Sequence, residues 1–235
     1  MNRVEAPPAP ALSASPPWLP PFEPTRIIAI RHGETAWNAE GRLQGHRDIA
    51  LSPKGQRQAD RLADALAHEG LERVVASDLS RAWQTGQALA QGLGLPLHTD
   101  PGLRERAFGV FEGLTRDEIR ERWPDALDRW NRRIPDYAPE GAESLTQFSA
   151  RCLVAATRLA RAWPGGVVAM VCHGGVLDCL YRHATGLALD APRSWVLGNT
   201  GINRLLYTGE GFTVTGWNDQ SHLDGLDGLA LDEAG

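Results

Sequence analysis

The sequence predicts an α/β protein: a three-layer α/β/α sandwich whose mostly parallel sheet carries an edge hairpin and a small helical lid. Three observations lead there. Arg26-Ile27-Ile28-Ala29-Ile30 and Val167-Val168-Ala169-Met170-Val171 are short apolar runs rich in β-branched residues, the pattern of strands buried on both faces. Strand-like and helix-like stretches alternate along the chain, which implies parallel strands with helices on both faces. Two further strand patterns, at 202–208 and 211–217, flank Gly209-Glu210-Gly211 as a hairpin.

Residues 1–24 hold eight of the 16 prolines, favour extended geometry and read as a leader without a core. The folded body is expected over 25–217. Ser52 caps a helix with Pro53 at its first position and Gly70 beyond its end, and Ala59, Leu62, Ala63 and Leu66 form its apolar stripe. Val74-Val75-Ala76 is a second strand, with Ser77 as cap of the next helix, and Leu95-Pro96-Leu97-His98 a third. Residues 108–140 are irregular and rich in Trp, Arg and Pro, with short helices near 116–122 and 125–131. They form the expected lid. Leu145, Phe148, Cys152, Ala156, Leu159 and Trp163 recur at helical spacing through 143–163, and Gly165-Gly166 ends that helix. Residues 218–235 carry five carboxylates and are expected to drape or fray as an acidic tail.

Composition narrows the chemistry. With 235 residues, 42% of them hydrophobic, the chain can bury one real core, and a net charge of −5 argues against a nucleic-acid partner. Lys54 is the only lysine among 24 basic residues and sits in a helix start, which closes the P-loop and Schiff-base classes. Three cysteines without a CxxC pair suit reduced thiols. No apolar run approaches the length of a membrane span, and no secretory h-region is seen, so a cytoplasmic protein without membrane association is expected. The oligomeric state is not readable.

In open α/β sheets ligands bind beyond the carboxyl ends of the strands. Those ends here read Arg31-His32-Gly33-Glu34-Thr35, Ser77-Asp78-Leu79-Ser80-Arg81 and Cys172-His173-Gly174-Gly175. Two arginines and two histidines, beside glycines and helix starts, are what a phosphoryl group requires. Guanidinium forks match phosphate oxygens, helix N-termini add amide donors, and an imidazole can attack phosphorus. No HxH, HExxH or carboxylate cluster supports a metal site. Cys152 to Arg158 has the C-x5-R spacing of cysteine phosphatases. It continues a helical stripe and lacks a glycine loop, so Cys152 reads as core, as do Cys172 and Cys179.

Arg31-His32-Gly33-Glu34-Thr35 with Trp37-Asn38 resembles the signature of the histidine phosphatase superfamily, which includes the cofactor-dependent phosphoglycerate mutases. The resemblance continues through Gly41-Arg42-Leu43-Gln44-Gly45, Asp48, Leu51 to Gly55, Ser77 to Ala82, Leu103-Arg104-Glu105, Phe108-Gly109 with Glu112-Gly113, His173-Gly174-Gly175 and Asn199-Thr200-Gly201. It covers about residues 26–205 in order. It implies that His32 is the nucleophile that becomes phosphohistidine. Arg31, Arg81 and a protonated His173 would form the phosphate pocket, Asn38 would be a further donor, and Gln44 would contact substrate. Glu105 would be the proton donor and acceptor, with Glu34 and Glu112 as competitors for that role. No metal or organic cofactor is implied. Because Glu105 must be protonated in one step and ionised in the next, an acidic to neutral optimum is expected.

The stretch between Gly113 and Ser144 is short, and Pro139-Glu140-Gly141 before a long helix looks more like the phosphatase branch than the mutases. The expected activity is therefore metal-independent phosphomonoester hydrolysis of a small phosphorylated metabolite. A phosphoglycerate mutase and a non-catalytic phospholigand-binding protein are the alternatives. Arg104 and Arg106 are expected to salt-bridge at the surface, Arg132 and Arg133 to solvate the lid, with contact to a substrate carboxylate as the alternative, and Trp37, Trp123 and Trp130 to pack in a core, an apolar or aromatic leaving group being their other use.

Overall fold

The computed structural model describes residues 23–226. Residues 1–22 of the leader and the last nine residues of the expected tail lie outside them. The chain runs β1 (Thr25–Arg31), α1 (Ala36–Ala39), α2 (Pro53–Asp60), α3 (Leu62–Leu66), β2 (Arg73–Ala76), α4 (Ser80–Leu93) and β3 (Leu97–Thr99). The lid helices α5 (Arg116–Arg122) and α6 (Pro124–Asn131) follow, then α7 (Leu145–Ala162), β4 (Val167–Cys172), α8 (Gly174–Thr185), β5 (Ile202–Tyr207) and β6 (Phe212–Asp219).

The strands form one sheet in the order β3-β2-β4-β1-β5-β6. The first four are mutually parallel, and β5 and β6 are antiparallel additions at one edge. β1 and β4 hold the centre because their side chains are apolar on both faces. Strand alternation then divides the core in two. Ile27, Ala29, Val168 and Met170 pack with Phe148, Cys152 and Leu159 of α7 and Val176 and Leu180 of α8. Ile28, Ile30, Ala169 and Val171 pack with Leu62 and Leu66 of α3 and Ala82 and Leu89 of α4. Each large apolar side chain so buried contributes about 1.5–3 kcal/mol. The lid has its own small core of Phe111, Ile119 and Leu127, with Phe108 and Trp130 against it.

Several boundaries differ from expectation. The helix after Ser52 divides at Arg61 into α2 and α3. β3 begins at Leu97, since Pro96 has no N–H for the ladder and lends only its carbonyl to Val74. Ser77 does not cap α4, which starts three residues later. Asp48, from a distant loop, takes the Ser80 N–H at 2.7 Å and its hydroxyl at 2.8 Å, supplying the negative charge a helix start favours. The expected domain end at 217 falls inside β6. Asn218, Asp219 and Gln220 are held by Asn203, Arg204 and Asn199, so these polar residues are internal partners of the fold. No helix among the described residues is long and apolar enough to cross a membrane.

Candidate active site

Parallel order brings the carboxyl ends of β1, β2 and β4 together. The loop after β1 is fastened by two neighbours: Thr85 Oγ1 of α4 accepts the Gly33 N–H at 3.0 Å, and Gln58 Oε1 of α2 accepts that of Glu34 at 2.9 Å. Behind it, the Asn199 side chain donates to the His32 carbonyl at 2.9 Å, and the Thr200 N–H to that of Arg31 at 3.0 Å. A side chain at Gly33 would collide with the Gly55 carbonyl, so α2 closes directly onto this loop.

His32 is buried, with Nδ1 2.7 Å from the Gly33 carbonyl. A carbonyl only accepts, so Nδ1 carries the proton and Nε2 keeps its lone pair. Burial, then the charges of Arg81 and Arg31, hold the His32 pKa well below the ordinary value. His173 lies with its ring centroid 5.1 Å from that of His32, and its Nε2 meets Ser77 Oγ at 2.9 Å. Burial, then Arg81, His32 and Arg31, depress its pKa as well. With two guanidiniums nearby and little solvent, a third cation at His173 is disfavoured; the expected protonated form belongs to a pocket that holds a phosphoryl group.

Arg81 is fixed by the carbonyls of Arg47 and Gly45 at 3.0 and 2.8 Å, and burial pushes its pKa down to about 10. Arg31 donates Nη1 to the Leu197 carbonyl. The Nε atoms of both arginines and His173 Nδ1 are buried without a hydrogen-bond partner among the described residues. Asn38 closes the cap of α1 with its Oδ1, which accepts from Thr35, and its amide nitrogen makes no hydrogen bond to a described residue.

The Glu105 carboxylate is held at both oxygens. Oε1 accepts the Arg106 N–H at 2.8 Å, and Oε2 accepts that of Gly175, in the first turn of α8, at 3.1 Å. Arg151, paired with Glu143, grips the Glu105 carbonyl from below. The two competing carboxylates are engaged elsewhere. Glu34 accepts from Ser52, and Glu112 accepts the N–H groups of His46 and Phe108.

These groups open onto a cavity of about 750 Å³ lined by Arg31, His32, Asn38, Gln44, Arg81 and Glu105. Six of the seven residues singled out from sequence thus share one cavity wall, and His173 packs against His32 at its base. Arg106 departs from expectation. It is buried, donates Nε to the Glu143 carbonyl at 2.7 Å, and stacks 4.1 Å above the Trp130 ring, with its pKa pushed down to about 10 by burial. Arg104 pairs with Asp78 as expected, and Arg132 pairs with Asp128 at the surface. Arg133 does not merely solvate the lid, since it reaches Asp178 of α8 at 2.8 Å. Of the three tryptophans expected in a core, only Trp130 packs against the lid core; Trp37 is half-buried, and Trp123 is exposed on one side with its ring centroid 5.9 Å from that of Phe111. Trp195, on the loop between α8 and β5, lines the cavity and was not foreseen, because no local pattern marks it. All three cysteines are free and buried, and burial raises the Cys152 and Cys172 pKa values. Among the described residues, no three His, Cys, Asp or Glu side chains converge to hold a metal ion.

A buried imidazole among guanidiniums at parallel strand ends, with a fixed carboxylate on the same cavity, is an arrangement suited to a phosphorylated ligand. The chain belongs to the histidine phosphatase superfamily (branch 1), whose model matches residues 27–220. It is 38% identical over 202 residues to phosphoglycerate mutase-like protein 4 of Arabidopsis thaliana, covering 84% of this chain and 86% of that one. Among solved structures it is similar to Bacillus stearothermophilus YhfR, with a TM-score of 0.78, 33% identity and coverage of 85% and 99%. It is also similar to a mycobacterial glucosyl-3-phosphoglycerate phosphatase, with a TM-score of 0.73, 30% identity and coverage of 83% and 99%.

Proposed function

We propose that this chain is a phosphomonoesterase that hydrolyses a small phosphorylated metabolite through a phosphohistidine at His32, without a metal. The observation that carries the reading is the His32 tautomer: Nδ1–H on the Gly33 carbonyl leaves a desolvated Nε2 lone pair beside Arg31 and Arg81. Nε2 attacks phosphorus in line, the ester P–O bond breaks, and protonated Glu105 gives its proton to the leaving oxygen. Arg31, Arg81 and the α8 N-terminus offset the charge on the equatorial oxygens, so preorganised electrostatics supplies much of the barrier reduction. Water then attacks phosphorus, the ionised Glu105 takes its proton, the P–N bond breaks and phosphate departs.

The names of mutase-like relatives favour a second reading, transfer of the phosphoryl group back to a phosphoglycerate in place of water. Phosphate release from p-nitrophenyl phosphate and 3-phosphoglycerate, with chelator present, separates the readings when wild type is compared with His32→Ala. Chelator-resistant release that vanishes in the variant, with a phosphorylated His32 seen by mass spectrometry after rapid quenching, is the expected result. Formation of 2-phosphoglycerate without phosphate release establishes the mutase. Phosphate binding without turnover establishes the non-catalytic alternative.

A further inference from the structure

The cavity is several times larger than a phosphoryl group, and the part of its wall formed by α8 and the loop after it has a chemistry of its own. Asp178 of α8 is 5% exposed, and its Oδ2 accepts from Arg133 Nη2 at 2.8 Å and Arg182 Nε at 2.9 Å. Its Oδ1 is buried with no hydrogen-bond partner among the described residues. Trp195 stands on the same wall. Its ring stacks on Tyr181 with centroids 4.2 Å apart, and the Arg182 guanidinium lies 4.8 Å from its centre. Its indole Nε1–H is likewise buried and unpartnered. Asp178 and Trp195 both line the cavity.

A buried polar atom left unsatisfied costs about 1–3 kcal/mol, so such atoms on a cavity wall mark where a ligand atom belongs. The pair is one acceptor and one donor. A carboxylate or second phosphate accepts only and cannot serve Asp178 Oδ1, whereas a hydroxyl donates to Asp178 and accepts from Trp195. Arg133 is committed to Asp178 and the Leu189 carbonyl, and Arg106 to the Glu143 carbonyl and the Trp130 face, whereas Arg193 also lines the cavity and Arg182 Nη2 is a further buried donor without a partner among the described residues; neither serves Asp178 Oδ1, which still lacks a donor.

We infer that the wall built by Asp178 and Trp195 is a subsite for the alcohol portion of the ester, and that this portion carries several hydroxyl groups, as in a sugar or polyol phosphate. The inference rests on the phosphomonoesterase reading and specifies its substrate class. Asp178 has a second duty there, because it ties the lid, through Arg133, to α8 and thereby sets the width of the subsite.

The test compares glucitol 6-phosphate with hexyl phosphate, esters of equal carbon count that differ in hydroxyls, and includes 6-phosphonooxyhexanoate and p-nitrophenyl phosphate. Wild type is expected to favour glucitol 6-phosphate over hexyl phosphate in kcat/KM. Trp195→Phe removes the N–H and keeps a ring on Tyr181. It is expected to shrink that preference about 3–10-fold, chiefly through KM. Equal use of the two esters, a preference for the carboxylated one, or a preference untouched by Trp195→Phe overturns the subsite while leaving the phosphatase reading intact. If no ester, p-nitrophenyl phosphate included, releases phosphate, the phosphatase reading fails on its own. Calorimetric binding of the same two esters to wild type and Trp195→Phe then decides the subsite, tighter binding of glucitol 6-phosphate lost in the variant supporting it and equal binding overturning it.

Discussion

Glu105 and Gly175 fit together so closely that position 175 has room for nothing but hydrogen: Glu105 Oε2 accepts the Gly175 N–H at 3.1 Å, while Oε1 occupies the space a Cβ there would need. Phe148 Cε1, 2.9 Å from that same point, blocks retreat on the other side. Gly175→Ala is therefore expected to expel the carboxylate from its seat and lower kcat about 10²-fold while the protein stays folded. Steady-state kinetics with circular dichroism checks this, and wild-type kcat in a folded Gly175→Ala protein would refute the role given to the seat.

Glu105→Gln removes the transferable proton and keeps the shape. The loss in kcat/KM is expected to be about 10²–10⁴-fold for alkyl esters, whose leaving alkoxide needs a proton. It is expected to be much smaller for p-nitrophenyl phosphate, whose leaving group is stable as an anion. An equal loss on both would assign Glu105 to positioning.

The two depressed histidines tie stability to pH. His32 and His173 stay neutral in the folded protein while their unfolded counterparts protonate near pH 6.5. The unfolded chain then binds protons that the folded chain refuses, so stability falls as pH drops below about 6.5, by up to about 1.4 kcal/mol per pH unit for each histidine. The carboxylates lowered by arginine partners, Asp78 and Glu143 among them, lose their contribution only below their ordinary values, under about pH 4.5. Chemical unfolding at pH 8, 6.5 and 5 is expected to show this slope, and His173→Gln to reduce it by nearly one proton. An unchanged slope in that variant would remove the basis of the argument.

The same depression governs activity. Because burial keeps His32 unprotonated under mild acid, kcat/KM is expected to hold up below pH 6 where an ordinary imidazole would already be charged. A pH profile on p-nitrophenyl phosphate whose acid limb falls at pH 6.5 would show that the nucleophile is not desolvated in solution.

Thr85→Val tests the fastening of the loop. Thr85 is fully buried, and valine leaves the Gly33 N–H without its acceptor. Expected are a stability loss of about 1–3 kcal/mol and a fall in kcat larger than the rise in KM, measured by urea unfolding and kinetics on one preparation.

Much of this was legible in the sequence, for identifiable reasons. The apolar runs of β1 and β4 could only be central strands, and Arg31, His32, Arg81 and His173 stand at strand ends where parallel order must bring them together. What escaped was set by contacts distant in sequence. Asp48 displaces Ser77 as the partner of the α4 start, and Arg106 and Arg133 look like surface cations until Trp130 and Asp178 are placed beside them. Trp195 and Thr85 reach the site through side chains on elements whose local pattern speaks only of packing or loop, and Asn199, though within the resemblance, carries no role until the fold sets its side chain on the His32 carbonyl.

The lid's separate core has a consequence for how such a protein changes over time. Phe111, Ile119 and Leu127 share no packing cluster with the sheet, so the lid is stabilised apart from the sheet and its helices, which carry His32 and Arg81. Residues of the lid that neither join that small core nor pair with α8, as Arg133 does with Asp178, can be exchanged without loosening either sheet face.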